Sequence, residues 1–179
     1  MNTYILAGGQ SLRMGCDKAT YVLNGKTFIK HITEAVTPYS QGVCIISDHS
    51  IHHSMGLKCI KDRDPNKGPL GGIYTALLHN KSEYSLILSC DIPMITSKSI
   101  GWLLAQQYEK QQVLVPVVNE YKMPLVGIYH SSCLRTVEKS LKMNKLKMME
   151  LLDRLDTLSV EVPSELENDF KNINTPKDL

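Results

Sequence analysis

The chain has almost no excess of charge: 20 lysines and arginines stand against 18 aspartates and glutamates, a formal +2 over 179 residues. That balance gives no reason to expect a polyanion-binding surface, so nucleic acid is not an expected partner, and positive charge matters only where it is local. No apolar run approaches the ~20 residues needed to cross a bilayer. The N-terminus lacks a basic region and a long apolar core, so neither a signal peptide nor a membrane partner is expected. The five cysteines, Cys16, Cys44, Cys59, Cys90 and Cys133, include no Cys-x-x-Cys pair and are odd in number. Neither a disulfide framework nor a zinc site is indicated, and a reduced, cytoplasmic setting is expected. Cys44 and Cys59 lie inside apolar runs and read as small core residues. Trp102 is the only tryptophan, and nothing assigns it to a site. There are no internal repeats, no low-complexity segments and no linker to mark a second domain. With 42% hydrophobic and 21% charged residues, residues 1–179 read as one domain with a substantial core.

Two familiar nucleotide loops are also missing. A dinucleotide fingerprint needs Gly-x-Gly-x-x-Gly, whereas here Gly8 and Gly9 are adjacent and the next glycine is Gly15. A P-loop needs four residues between its glycines and then Lys-Ser/Thr; here five separate Gly9 from Gly15, and Ala19 follows Lys18.

What is present is a short apolar run, Tyr4 to Ala7, that turns sharply at Gly8-Gly9 and continues to Lys18. Glycine has no Cβ, so a phosphate can approach the backbone amides closely there. Arg13 and Lys18 can supply fixed positive charge to a polyphosphate. A strand entering such a loop is the usual approach to a nucleotide site in an α/β sheet. A tight packing turn is the plainer alternative.

Further along, helices are expected over Lys26 to Val36 (stopped by Pro38), through Ile73 to Leu78, from a Ser97 cap through Tyr108, and over 131–141 and 145–155. Strands are expected at 42–47, 57–61, 84–89, 113–118, 123–129 and 159–162, with a turn at Asn24-Gly25 and a closing tail from Asn172 to Asp178. Alternation of strand and helix predicts a parallel sheet, with the 113–129 hairpin as the place for an antiparallel element. The strand at 84–89 ends in Cys90-Asp91. Ligands sit beyond the carboxyl ends of strands in open α/β sheets, so Asp91 is placed to hold a hard cation. Asp62, before Gly68-Pro69, is either a capping aspartate or a nucleotide contact. His49, His52 and His53 are crowded, but a solvated loop or short helix accounts for them better than a metal site. The lysines at 139, 142, 145 and 147 either receive an anionic substrate or form a solvated helical face.

The stretch from Leu6 to Lys18 resembles the Leu-Ala-Gly/Ala-Gly-x-x-x-Arg-Met-Gly-x-x-Lys signature of nucleotidyltransferases that make NDP-linked products. Four more stretches make the chain similar to molybdenum cofactor guanylyltransferases: Asp62 with Gly68-Pro69-Leu70-Gly71-Gly72, Cys90-Asp91-Ile92-Pro93-Met94, Pro124 to Tyr129, and Asn172 to Leu179. They fall in the family's order and cover nearly the whole chain. The resemblance implies a Rossmann-like three-layer α/β/α nucleotidyltransferase fold, mostly parallel with an antiparallel strand or hairpin. It implies transfer of GMP from GTP to the terminal phosphate of molybdenum-bound molybdopterin, with pyrophosphate leaving.

The attacking phosphate is already anionic, so no general base is needed, and positioning with electrostatics carries the reaction. The expected roles follow. The backbone of Leu6, Ala7, Gly8 and Gly9, with Arg13, holds the β- and γ-phosphates. Lys18 neutralises charge near the α-phosphate, and its removal should cost roughly 10²–10³ in rate. Asp91 ligates Mg²⁺, Asp62 contacts guanine or ribose, and Asn172 and Asn174 face the pterin. Molybdenum-insertion proteins and molybdoenzymes are the implied transient partners.

Three positions depart from the family pattern: Ser47 or Asp48 stands where an Asn is frequent, Met123 where Gln or His is, and Lys145 and Lys147 where arginines are. A cytidylyltransferase using CTP is the nearest alternative, though its relatives carry Ala where this chain has Gly8. A nucleotide-binding partner without turnover is another, and it would be expected to lack Lys18 or Asp91.

Overall fold

A computed structural model describes residues 1–8, 17–107 and 110–178 of the chain. Gly9, Arg13 and the rest of 9–16, with Tyr108, lie outside the described residues.

The frame of the fold is the strand β1 (Asn2–Leu6), paired in parallel on one side with β4 (Gly42–Ile46) and on the other with β6 (Tyr84–Ser89). β5 (Lys58–Ile60) extends the sheet beyond β4, also parallel. On the other side β9 (Val126–His130) runs antiparallel between β6 and β7 (Val113–Val118), and β10 (Thr157–Glu161) closes the edge parallel to β7. The sheet order is β10-β7-β9-β6-β1-β4-β5, with short β8 (Tyr121–Lys122) paired to β7. The antiparallel element therefore falls in the hairpin region that the sequence marks for it.

The buried strands are apolar on both faces, as a sheet covered twice requires. Ile5, Leu86, Leu88 and Leu114 face α1 (Phe28–Val36) and α3 (Ser97–Leu104), together with Phe170. Tyr4, Leu6, Ile87 and Val115 face α2 (Pro69–His79), α4 (Leu134–Lys142) and α5 (Met148–Leu152). This is a three-layer α/β/α arrangement. Each fully buried aliphatic side chain contributes about 1.5–3 kcal/mol, so the two faces supply the main driving force.

Local chemistry shifts several boundaries. Lys26 and Thr27 do not begin the first helix. They form β3, paired antiparallel with β2 (Val22–Leu23) around Asn24-Gly25, whose φ of 49° and 79° fit a tight hairpin turn. Thr27 then caps α1, its hydroxyl accepting the N–H of Lys30. The carboxyl end of α1 is where expected, at Val36, and the chain passes at Thr37 into a 3-10 turn that holds Pro38. Thr96, not Ser97, caps α3, in a reciprocal capping box with Ser99. The expected 145–155 helix is only Met148–Leu152. Residues 172–178 are no loose tail: Ile173 is buried, and a 3-10 turn spans Pro176–Asp178. Trp102 meets Phe170 edge-on, with centroids 6.1 Å apart. Cys44 is buried and Cys59 half-buried.

Candidate active site

The carboxyl ends of β1, β4, β5 and β6 lie side by side and are stitched one residue past the strands. The N–H of Ala7 donates to Ile46 O (3.0 Å), that of Ser47 to Ile60 O (3.0 Å), and that of Cys90 to Leu6 O (3.1 Å). This ladder brings Leu6, Ala7, Gly8, Asp48, Asp62 and Asp91 to one edge of the sheet.

On the β1–β4–β5 side is a cleft of about 490 Å³, lined by Leu6, Gly8, Asp48, His49, Asp62, Gly68, Pro69 and Gly72. α2 presents its amino end to this cleft through Gly68, whose φ of 60° and ψ of −154° suit glycine. Asp62 is held rigidly: Oδ1 accepts the N–H of Asp64 (3.1 Å) and the hydroxyl of Thr75 (2.9 Å). The close approach depends on Gly71, where a Cβ would sit 2.5 Å from Asp64 O. At Gly8, by contrast, a Cβ would meet no atom of the described residues within 4 Å. Ser47 is 1% exposed and is turned inward, so the cleft residue after the second parallel strand is Asp48.

On the β6 side a second cleft, of about 370 Å³, is lined by Asp91, Tyr121, Lys122, Met123, Met148, Phe170, Lys171 and Asn172 among others. It is mainly apolar with basic residues at its rim. Met123 contributes to that apolar lining. Tyr121 is 77% exposed at the mouth, presented by the Asn119-Glu120 turn, where both residues have positive φ.

The neighbouring ends of β1 and β6 carry one cleft each, and Lys18 stands beside Asp91, on the side of the second. Its Nζ lies 3.8 Å from Asp91 Oδ2 and donates to Asn174 Oδ1 at 2.7 Å. The N–H of Ile173 donates to Asp91 O at 2.7 Å, fastening the C-terminal segment over the strand end. Asp91 Oδ1 is buried and has no hydrogen-bond partner among the described residues. An orphaned buried carboxylate oxygen is costly unless something else meets it, so the residue fits a cation. Among the described residues no group of three His, Cys, Asp or Glu side chains could hold a metal alone. One carboxylate with phosphate oxygens and water is how Mg²⁺ is ordinarily bound. Burial pushes the neighbouring Cys90 thiol up to about 12, with Asp91 adding to the shift, so this cysteine stays protonated and inert.

Of the residues singled out from sequence, Lys18, Asp91 and Asn174 converge, Asn172 joins Asp91 on the second cleft, and Leu6, Gly8 and Asp62 share the first. Arg13 and Gly9 lie outside the described residues. Lys142 and Lys147 pair with Glu138 (2.7 Å) and Glu150 (3.5 Å) on exposed surface, which is the solvated-face arrangement. Sequence reading missed Asp17 and the buried His52, which sit behind Lys18. Histidine crowding at 49–53 was the only signal, and nothing local tells a solvated imidazole from a buried one.

Residues 3–158 match the family model described as "MobA-like NTP transferase domain". A protein of Flavobacterium johnsoniae named "Probable molybdenum cofactor guanylyltransferase" is 34% identical, over 100% of this chain and 94% of its own. One of Halalkalibacterium halodurans with the same name is 34% identical over 98% and 93%. Among solved structures, the molybdopterin-guanine dinucleotide biosynthesis protein A of Archaeoglobus fulgidus superposes with a TM-score of 0.84 at 24% identity, over 99% of this chain and 94% of that one. A CMP:2-keto-3-deoxy-manno-octonic acid synthetase complexed with CTP has a TM-score of 0.74 at 16% identity, over 98% and 93%. The last two likenesses are of fold.

Proposed function

The chain belongs to the MobA-like NTP transferase family, and from that premise we propose that it is a molybdenum cofactor guanylyltransferase: it transfers GMP from GTP to molybdenum-bound molybdopterin. The observation that carries this reading is the meeting of Lys18 with Asp91 and Asn174, at 3.8 and 2.7 Å, at the end of β6. One cleft takes the nucleotide and the other the pterin, so the reacting phosphates come together at Lys18.

A terminal phosphate oxygen of the pterin forms a bond to the α-phosphorus of GTP. The bond from that phosphorus to the β-phosphate bridging oxygen breaks, and its electron pair leaves with pyrophosphate. The nucleophile is anionic at neutral pH, so no side chain has to take its proton. The difficulty is bringing two anions together, which preorganised positive charge and positioning relieve. Lys18 provides that charge beside the α-phosphate, and Asn174 fixes its direction. The Leu6-Ala7-Gly8-Gly9 backbone and Arg13 receive the β- and γ-phosphates. Asp62 spends Oδ1 on Asp64 and Thr75, which leaves Oδ2 for the nucleoside. Asn172 and the apolar wall of Met123, Met148 and Phe170 receive the pterin.

Mg²⁺ is the cofactor that fits Asp91, and when bound it would offset charge on the triphosphate. The setting is cytoplasmic, with transient contact to molybdenum-insertion proteins and molybdoenzymes. A cytidylyltransferase is not favoured, since the full-length relatives are named for the guanylyl reaction.

The test is pyrophosphate release by the purified chain with Mg²⁺ and molybdenum-loaded molybdopterin. GTP is expected to support turnover and CTP to be a poor substitute. Equal or faster release from CTP, or none from either nucleotide, overturns the reading.

A further inference from the structure

Behind Lys18 lies a buried histidine carried by a different part of the chain. His52 sits in a 3-10 turn, Ser50–Ser54, and is fully buried. Its Nδ1 is 2.7 Å from Ser47 Oγ, and its Nε2 is 2.9 Å from Asp17 Oδ2. The Asp17 carboxylate can only accept, so the ring proton belongs on Nε2. Nδ1 then accepts the Ser47 hydroxyl, while Ser47 Oγ accepts the N–H of His49 at 3.0 Å. Burial holds the imidazole below its ordinary value against the pull of Asp17.

Asp17 works on two sides. Oδ1 accepts the N–H of Ala19 at 2.9 Å and caps the 3-10 turn Lys18–Thr20. Oδ2 is buried, and it lies 2.9 Å from His52 Nε2, an ion-pair distance that does not meet hydrogen-bond geometry. Removing the imidazole would leave that oxygen buried and uncompensated.

Serine, histidine and aspartate in one row resemble a hydrolytic triad in composition only. Ser47 is 1% exposed and occupies Nδ1, the nitrogen a triad gives to its aspartate. No nucleophile is presented, and the row must serve another purpose.

We propose that His52 is a positioning residue for Lys18. The end of β4 holds Ser47, Ser47 orients the ring, the ring fixes Asp17, and Asp17 sets the turn that aims the ammonium at Asp91 and Asn174. This rests on Lys18 acting in the transfer, as proposed above. Groups that act through such a row lose rate when it slackens, because a misplacement of about 1 Å can cost on the order of 10²-fold.

Two replacements at position 52 separate positioning from packing. Asparagine reproduces the Nδ1 side, toward Ser47, and glutamine the Nε2 side, toward Asp17. His52→Asn is expected to lower kcat roughly 10- to 100-fold with the KM for GTP little changed. His52→Gln is expected to restore most of that loss. In a Lys18→Ala background, His52→Asn should add no further loss, since both act through one group. Equal kcat for the two variants, or an undiminished extra loss in the Lys18→Ala background, overturns the proposal. Wild-type turnover by Lys18→Ala alone overturns the catalytic reading of Lys18 instead, so the two failures are distinguishable. If thermal melting shows that a position-52 variant does not fold, Ser47→Ala replaces it. Its loss of kcat should vanish in the Lys18→Ala background, and an unchanged kcat or a persisting loss counts against the proposal.

Discussion

Lys18 Nζ donates to Asn174 Oδ1 at 2.7 Å, although 156 residues separate the two in the chain. The contact exists because the N–H of Ile173 is bonded to Asp91 O and the Ile173 side chain is buried. The last segment therefore crosses the end of β6 and sets Asn174 beside the lysine.

Asn174→Ala should lower kcat by about tenfold while the KM for GTP changes little. A hydrogen bond to a charged group contributes about 1.5–3 kcal/mol, and here it aims the ammonium. Steady-state kinetics at saturating pterin substrate check this. A raised KM with unchanged kcat would instead place Asn174 in ground-state binding.

Asp91→Asn should abolish the Mg²⁺-dependent part of the stabilisation by GTP. At GTP concentrations near 100 times Kd, binding stabilises a folded protein by about 2.7 kcal/mol. The wild-type chain should show that gain only with the metal present. The melting point without ligands should change little, because the buried Oδ1 has no protein partner to lose among the described residues and the ion pair of Oδ2 with Lys18 is a long one, at 3.8 Å. Thermal melts with and without metal are the measurement.

Gly8→Ala should fold normally and use GTP less well. The added methyl meets no atom of the described residues within 4 Å, so its cost is expected to fall on the bound nucleotide. The ratio of kcat/KM for GTP to that for CTP should drop, as read from pyrophosphate release with each. An unchanged ratio would remove Gly8 from purine recognition.

The melting temperature should decline as pH falls below about 6.5, in part because of His52. Burial lowers its pKa, with His49 and His53 acting in the same sense and Asp17 opposing them. A base whose folded value lies below its unfolded value stabilises fully above the unfolded value. That contribution is lost as pH falls through the folded value. His79 is shifted the same way, by burial and by Lys58 and Lys81, and contributes its own share. A melting series between roughly pH 5 and 8 should be flatter for His52→Gln than for the wild type. Parallel curves would rule out His52 as a source.

Much of the fold was legible locally. Asn24-Gly25 announced a turn, and Tyr84 to Ser89 formed a strand with the expected ends, because strand and glycine preferences act over a few residues. Lys26-Thr27 went astray because pairing with Val22-Leu23 outweighs helix preference in a two-residue segment. The segment 145–155 shrank to one short helix because an apolar periodicity does not say where the turns around it begin.

The site divides in the same way. By itself the sequence determined the strand that ends before Gly8, the aspartate at the end of β6 and the lysine at 18, because strand and charge are properties of neighbouring residues. Only the tertiary structure decided that Asn174 directs that lysine, that Ser47 turns inward while Asp48 lines the cleft, and that His52 is buried against Asp17. These outcomes depend on which strands lie side by side and on what is sealed from water, and residues distant in the chain settle both together.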